Sequence, residues 1–520
     1  MHRLTGCRYH SAKTLRLMTA YRIGRTEPGQ WQNFKPPIRG GTFRKMESGP
    51  RKEVDLVINV EKAQGPIAVN PSAPTTPLTG SLLIPTTLTP SCRRRVSDPE
   101  RNGAIIPVPM PIPSVVVDDK STTPVTSERD SQIVDACAIE IQWCLDNYPS
   151  PDIETQSVIT AKFQALQQRV KEGGYYTCYY SNYARECVRY VSLFAMFILT
   201  LRAEWYMTSA IFLGAFWQQI MFTAHDAGHR GITSKFIPDT LIGIFIADFC
   251  CGLSIGWWKS SHNVHHLVTN APEHDPDIQN VPLFATCPSQ FKNVHSTYYN
   301  FTFVWDKACE VMVPYQKYVY YPIMAVARFN LYLLSWCHLL SPRSKPLGSA
   351  AWTRPVEIIA MMGYWFLFGY VLVLHTLPDW PTRVAFVLAS HLSTMLLHVQ
   401  ITLSHWGMPT CDLGDDESFA QKQLRTTMDV DCPKWLDWLH GGLQFQAIHH
   451  LFPCVPRHNL RSLQPLVKEF CEDTGIKYNI LGFVDGNKKV IGRLAEISKQ
   501  LSILGACQDH MAKTGESGLH

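Results

Sequence analysis

The sequence lacks the cysteine patterns of a disulfide scaffold or a zinc ribbon. Its 16 cysteines are scattered over 520 residues, only Cys250 and Cys251 are adjacent, and no Cys-x-x-Cys occurs. A disulfide framework is typical of short secreted chains with closely spaced cysteines. We therefore expect reduced thiols that face the cytosol or the bilayer.

Two further absences narrow the class of partner. Lys and Arg are not gathered in one stripe and the net charge is only +5, which disfavours nucleic acid and fits cytosolic loops beside anionic membrane lipids. No apolar run lies near the start, so a secretory signal is not expected. The first 25 residues are basic without an acidic residue, which fits a disordered tail or, as an alternative, a transit peptide.

The amino-acid composition of the N-terminal part differs from that of the rest of the chain. Pro, Ser and Thr crowd residues 64–127, a pattern that resists helix formation and offers no apolar core. We predict a disordered N-terminal region at 1–130, a cytosolic helical segment at 131–185, a membrane domain at 186–505 and a C-terminal tail at 506–520.

Long apolar stretches predict helices that cross a membrane. The stretches 190–201 and 206–223 are separated by four residues, and 356–374 and 384–403 are joined by a short turn that contains two prolines. These pairs predict two transmembrane hairpins and hence four spans. Basic residues before the first hairpin place both of its ends on the cytosolic side.

Two more apolar stretches, 241–257 and 320–340, should then not cross. A single crossing at 241–257 would put the histidine clusters that flank it on opposite sides of the membrane. Asp248 lies in the first stretch, and Arg328 and Asn330 lie near the middle of the second. These polar residues favour a re-entrant segment and an interfacial amphipathic helix.

Eight side chains that can bind metal lie in three short clusters: His225 and His229; His262, His265 and His266; Gln446, His449 and His450. His-x-x-x-His places both imidazoles on one helix face, and ionisable groups at membrane depth usually have a function. One tetrahedral zinc takes only four ligands, so two metals are predicted. Imidazole binds iron, copper, nickel and zinc alike. If the substrate is a lipid, its methylenes carry no carbonyl group and no acidic proton for hydrolytic zinc chemistry to attack. This favours oxidation by iron and dioxygen.

The three clusters resemble the histidine boxes of membrane fatty acyl desaturases. Gln446, in place of the first histidine of the third box, resembles the front-end subgroup. The flanking sequences are similar to fungal sphingolipid delta-8 desaturases, in particular the segments 222–229, 257–259, 268–277, 427–433 and 456–460. We expect the resemblance to run from about residue 155 to 500 and not to cover the N-terminal part.

The resemblance implies an all-α integral membrane fold with four transmembrane helices in two hairpins, interfacial helices and a cytosolic di-iron cap. The eight box residues would hold two iron ions, with O2 as co-substrate, and position 8 of the long-chain base of a ceramide or glucosylceramide would be desaturated. His405, at the end of the last span, is expected as an additional ligand. Asp226, His274, Asp429 and Asp431 are expected to orient ligands through hydrogen bonds.

The same resemblance sets an expectation for the electron donor. Related front-end enzymes carry a fused cytochrome b5 domain with a His-Pro-Gly-Gly haem motif, whereas this chain has no such motif and only two histidines before His225. We therefore expect no haem of its own and a separate cytochrome b5 with its NADH-dependent reductase; the alternative is a truncated N-terminus that leaves the sequence without a site of electron entry. Lys259, Lys422, Arg425 and Arg457 are expected to attract that acidic donor. The expected location is the endoplasmic reticulum membrane, with the boxes and both termini cytosolic.

Three alternatives stay open on sequence grounds. A front-end acyl desaturase of the delta-6 or delta-5 type, or a lipid hydroxylase, would use the same scaffold. A non-catalytic membrane receptor or transporter is the third, although it would not need three clustered boxes. Iron content separates this third class from the enzymes, and lipid mass spectrometry distinguishes loss of two hydrogens from gain of one oxygen.

Overall fold

A computed structural model describes residues 128–344 and 350–514, and the predictions for residues 1–127 lie outside this range. The described part is mostly helical. Its helices are α1 (Glu128–Asn147), α2 (Ile153–Glu172), α3 (Tyr180–Arg202), α4 (Tyr206–Gly228), α5 (Phe236–Cys250), α6 (Ile255–Val268), α7 (Lys307–Met312), α8 (Gln316–Leu340), α9 (Thr353–Thr376), α10 (Trp380–Leu392), α11 (Met395–Leu403), α12 (Phe419–Thr426), α13 (Asp437–His440), α14 (Gln446–Leu451), α15 (Arg457–Thr474) and α16 (Phe483–Thr514).

Short strands and single turns complete the described part. Strands β1 (Val294–Ser296) and β2 (Phe301–Phe303) pair antiparallel, and β3 (Asp429–Asp431) and β4 (Ile480–Gly482) pair parallel. Helices α1 and α2 fall in the segment predicted to be helical before the membrane. Helix α16 continues through residues 506–514, which the sequence analysis assigned to a tail.

Side-chain caps fix where several helices begin. Asp152, Ser254, Asp379 and Ser418 each accept a hydrogen bond from a backbone N–H in the first turn of α2, α6, α10 and α12. Such a cap satisfies one of the N–H groups that a helix start leaves unpaired. The start of α6, which carries the second histidine cluster, is therefore fixed by Ser254.

Within residues 128–344 and 350–514, three segments are long and apolar enough to cross a membrane: Lys307–Leu340, Thr353–Thr376 and Trp380–Leu403. The pair α5 and α6 passes the same test jointly but is bent by 114°, so this part of the chain has three candidate spans, or four if the pair counts as one. The bend is the geometry of a broken span or of a re-entrant loop, so the re-entrant segment expected for 241–257 stays a prediction. The membrane character of the fold is thus supported, whereas four spans in two hairpins remain a prediction.

The candidate spans differ from the predicted set in two places. The second predicted hairpin corresponds to α9 followed by α10 and α11. The first corresponds to α3 and α4, which do form adjacent helices but are not among the candidate spans. The stretch 320–340, predicted to lie in the interface, belongs instead to a candidate span. Polar residues such as Gln218 and Gln219 lower the hydropathy of α4, whereas α8 tolerates Arg328 within a longer apolar helix.

Two clusters of buried apolar side chains meet at the histidine-bearing helices. One joins α4, α5, α9 and α10 around Trp217. The other joins α1, α2, α14 and α15 around Phe163 and Phe452. Because His225 lies on α4 and His449 lies on α14, the metal-binding candidates are carried by helices of both clusters.

The contact between α4 and α10 depends on Gly214. A Cβ atom at this position would lie 2.3 Å from the Ser390 backbone oxygen and 2.6 Å from Ser393 Cβ. We expect Gly214→Ala to lower the free energy of unfolding by about 1–3 kcal/mol, because overpacking forces helices apart. The measurement is the thermal unfolding midpoint in detergent.

Gly369→Ala in α9 is the matched control. Its Cβ would meet no atom closer than 3.8 Å, so a neutral or slightly stabilising effect is expected from the higher helix propensity of Ala. Equal midpoints for both variants would show that the α4–α10 contact is not tightly packed.

Candidate metal centre

The first histidine pair lies at the C-terminal end of α4. His225 occupies the last turn and His229 is the C-cap residue, with ring centroids 4.8 Å apart. Residues four apart on a helix are neighbours, so both imidazoles lie on one face. This confirms the geometry that the spacing predicts.

The second cluster lies on α6. His262 and His266 bring their Nε2 atoms within 3.0 Å of each other. The Nδ1 atom of His265 lies 2.8 Å from Oδ2 of Asp275, a fully buried carboxylate. Because the carboxylate can only accept, His265 donates from Nδ1, and Nε2 is the atom left for a metal.

The third cluster forms the short helix α14, whose residues Gln446, His449 and His450 are all buried. The chain enters this helix through Gly441 and Gly442, whose φ angles of 60° and 95° suit glycine. A Cβ at Gly441 would lie 2.1 Å from the Phe222 ring. The close approach of this turn to α4 therefore needs glycine.

The imidazoles form two groups. In the first, candidate ligand atoms of His225, His229, His262 and His449 all lie within 4.8 Å of one another. In the second, those of His265, His405 and His450 do the same. The His266 ring lies between the groups, with its centroid 4.8 Å from that of His449 and 4.2 Å from that of His450.

Unpaired nitrogen atoms test whether this arrangement suits metal ions. Seven buried imidazole nitrogens have no hydrogen-bond partner among the described residues. One is Nε2 of His398 on α11, which belongs to neither group; the other six are Nε2 of His225, His229, His449 and His450, and Nδ1 of His266 and His405. An unsatisfied buried polar atom costs about 1–3 kcal/mol. Metal coordination would satisfy all six, so the donor set fits two metal ions bound mainly by imidazole.

Orienting contacts differ in part from those predicted. Asp226 approaches His225 Nδ1 only to 3.9 Å and pairs with Arg457 and Tyr183 instead. His274 Nδ1 lies 2.9 Å from Thr297 Oγ1. Asp431 is exposed on β3. None of the interactions named here joins Asp226, His274 or Asp431 to a ligand imidazole by a hydrogen bond.

Asp429 acts on the third cluster through the backbone. It accepts a hydrogen bond of 2.8 Å from the Ala447 N–H and another from the Tyr478 hydroxyl. The carboxylate thus holds the first turn of α14 rather than an imidazole. Burial raises the pKa of Asp429 to about 7, although these donors oppose the rise.

The orienting partners that the sequence analysis missed are Asp275 and Gln423. Gln423 Oε1 lies 2.8 Å from His450 Nδ1, and its Nε2 donates to the His266 carbonyl. Asp275 stands beside the second cluster in sequence and could have been chosen from its proximity. Gln423 lies 27 residues from His450 and carries no local signal.

The prediction that four basic residues form a surface for the electron donor is wrong for two of them. Arg425 is completely buried in an ion pair with Glu417, and Arg457 is buried against Asp226 and Glu186. Neither guanidinium can face a protein donor. Both instead bridge segments of the folded chain.

The bundle and the paired imidazole groups define a membrane protein that can hold two metal ions. Residues 203–482 match the family model described as Fatty acid desaturase, and the chain belongs to that family. The resemblance inferred from the boxes is thereby confirmed.

Similar proteins extend this finding. The chain is 44% identical over 513 residues to a "Delta 8-(E)-sphingolipid desaturase" of Emericella nidulans, covering 98% of this chain and 88% of the relative. It is 42% identical to the protein of that name in Candida albicans, over 95% of this chain and 87% of the relative. A "Delta(8)-fatty-acid desaturase" of Helianthus annuus is 39% identical over 57% of this chain and 63% of the relative.

These alignments correct one expectation. Similarity to the fungal proteins spans 95–98% of the chain, so it extends well beyond residues 155–500. The box motifs made only the membrane part recognisable, because the N-terminal part contains no histidine cluster.

Removal of one imidazole tests the metal centre. We expect His449→Ala to lose bound iron and to reduce lipid conversion by roughly 100-fold or more, since even outer partners of a metal site typically contribute 10–100-fold. Iron in the purified protein and product lipid are measured together.

His295→Ala provides the control, because His295 is exposed on β1, outside both imidazole groups. This variant should keep its iron and activity. Normal product formation by purified His449→Ala would refute the assignment of two metals to these residues.

Gln446 gives a graded test. An amide is a weaker donor than imidazole, so we predict that Gln446→Ala lowers conversion by roughly 10-fold or more, whereas Gln446→His keeps part of the activity. Initial rates and iron content of both variants are compared with the unmodified protein. Turnover of Gln446→Ala at the unmodified rate would place this side chain outside the metal coordination.

Proposed function

We propose that the protein is a membrane desaturase that introduces an E double bond at position 8 of the long-chain base of a sphingolipid. The observation that carries the proposal is the pair of buried imidazole groups with unpaired nitrogens in a chain of the fatty acid desaturase family. The fungal relatives, 40–44% identical over nearly the whole chain, supply the substrate class and the double-bond geometry. A ceramide or glucosylceramide is the proposed substrate.

We assign two iron ions to His225, His229, His262, His265, His266, Gln446, His449 and His450, with His405 as an additional ligand. When bound, iron supplies the activation of dioxygen that removal of hydrogen from an unactivated methylene requires. The protein's part is to fix the ligand atoms and the substrate chain in position.

The residues around the imidazoles perform the first task. Asp275 accepts from His265 Nδ1 and Gln423 Oε1 accepts from His450 Nδ1, so that Nε2 of each ring is the atom that would bind the metal. Asn270 donates from Nδ2 to the His405 carbonyl at 2.8 Å. This bond ties the loop after α6 to the end of α11. It thereby holds His405 beside His265 and His450, the other two members of the second imidazole group.

We place the enzyme in the endoplasmic reticulum membrane, with the imidazole groups, α1, α2 and α15 on the cytosolic side. Electrons would come from a separate cytochrome b5 and its NADH-dependent reductase.

Expression in a yeast that lacks delta-8 long-chain bases tests the reaction itself. Mass spectrometry of the hydrolysed long-chain bases should show a product lighter by two hydrogens, with the double bond at position 8 in the E form. The His449→Ala variant serves as the inactive control. A product heavier by one oxygen would identify a hydroxylase, and modified fatty acids with unchanged bases would identify an acyl desaturase.

The electron donor is tested in liposomes that contain the purified chain, NADH and cytochrome b5 reductase. Desaturation should require added cytochrome b5 and should slow as salt rises, because exposed charges are screened over roughly 8 Å at physiological ionic strength. Replacing cytochrome b5 with its haem-free form is the control. Full turnover without cytochrome b5 would show that the donor assignment is wrong.

A further inference from the structure

A pair of cysteine thiols lies outside the metal centre in direct contact. Cys144 on α1 and Cys411 in the loop after α11 have their Sγ atoms 3.3 Å apart, although 267 residues separate them. Both thiols are free. Cys144 is fully buried, and Cys411 is partly exposed to solvent.

A buried guanidinium touches both sulfurs. Arg425 Nη1 lies 3.4 Å from Cys411 Sγ and 3.8 Å from Cys144 Sγ. The same guanidinium holds Glu417 through two bonds of 2.8 Å and donates to the Cys411 carbonyl. Because Arg425 is anchored in this way, its charge stays beside the thiols.

This environment favours a thiolate. The S–H hydrogen bond from Cys411 and the Arg425 charge lower the pKa of Cys144, against the opposing effect of burial. Cys287 shows the contrast: burial raises the pKa of its thiol to about 11, and its partner is the Ser289 hydroxyl at 3.0 Å. Reactive cysteines lie in electropositive, partly accessible surroundings, whereas buried thiols without them are inert.

We propose that Cys144 and Cys411 form a redox-active dithiol that closes to a disulfide when a hydroperoxide oxidises it. The sulfurs would have to approach by only roughly 1.2 Å to reach the length of an S–S bond. The bond would tie α1 to the loop that follows His405.

The chemistry balances in two steps. The Cys144 sulfur, as the thiolate, attacks the peroxide: an S–O bond forms, the O–O bond breaks, and the leaving oxygen takes up a proton and departs as water or an alcohol. The Cys411 thiol then attacks the Cys144 sulfur, so that the S–S bond forms, the S–O bond breaks, and the thiol proton leaves with the hydroxide as water. The two thiols together lose two electrons and two protons, and the peroxide gains them.

The test uses the purified full chain in detergent, treated with hydrogen peroxide and digested without reductant. We expect a cross-linked peptide pair that contains Cys144 and Cys411, formed before Cys287 reacts and removed by dithiothreitol. Oxidation of Cys287 or other thiols with no Cys144–Cys411 peptide would overturn the proposal.

Substitutions at Cys411, Cys287 and Arg425 test which side chains the cross-link depends on. Cys411→Ser should leave Cys144 without a partner and abolish the cross-linked peptide, whereas Cys287→Ser should form it at the rate of the unmodified chain. Arg425→Lys, checked for folding by gel filtration, should slow cross-linking several-fold because a lysine cannot hold the same contacts.

If Arg425→Lys does not fold, the rate of cross-linking in the unmodified chain is measured as a function of pH instead. A rate that stays flat below the ordinary pKa of a cysteine, while the control thiols slow, supports the proposal; a rate that falls in parallel with theirs contradicts it.

Discussion

The cost of burying imidazole nitrogens without partners is the constraint on which the rest of this structure depends. Six such nitrogens belong to the histidines of α4, α6 and α14 and to His405. Each would destabilise an ordinary core by about 1–3 kcal/mol, and cations bound between the rings would remove that cost. The cost also explains why the orienting groups are buried acceptors such as Asp275 and Gln423, since they fix the donor nitrogen and leave the other for a metal.

A second buried network sets the position of the first histidine pair. Arg457, at the start of α15, contacts Asp226 on α4 and Glu186 on α3, and it donates at 3.0 Å to the Phe222 carbonyl. Removing one partner of a buried ion pair typically costs 3–5 kcal/mol because the other charge stays uncompensated. Asp226 therefore stabilises the approach of α15 to α3 and α4, and its carboxylate lies 3.9 Å from His225 Nδ1 on the same helix.

Local spacing made the box histidines predictable, because His-x-x-x-His needs nothing beyond the geometry of one helix turn. His405 could be predicted only from a resemblance, since no motif surrounds it. The partners of buried charges could not be predicted: Glu186 and Arg457 are 271 residues apart, and a sequence alone gives no sign that this arginine is internal. Hydropathy identified the segment 353–403 correctly as apolar helices but gave too little weight to 307–340, whose Arg328 is buried rather than exposed.

The division of ligands between bundle and cap links metal binding to tertiary structure. The first imidazole group combines His225 and His229 from α4 with His449 from α14, and the second combines His405 after α11 with His450 from α14. An ion in the first group would therefore join helices of both apolar clusters, and an ion in the second would join α14 to the end of α11. Anything that binds only this docked arrangement stabilises it by mass action. Asn270, in the left-handed conformation with φ of 56°, reinforces the same joint by donating to the His405 carbonyl. The docking of α14 against α4 and the end of α11 would therefore govern whether the two imidazole groups can hold metal ions.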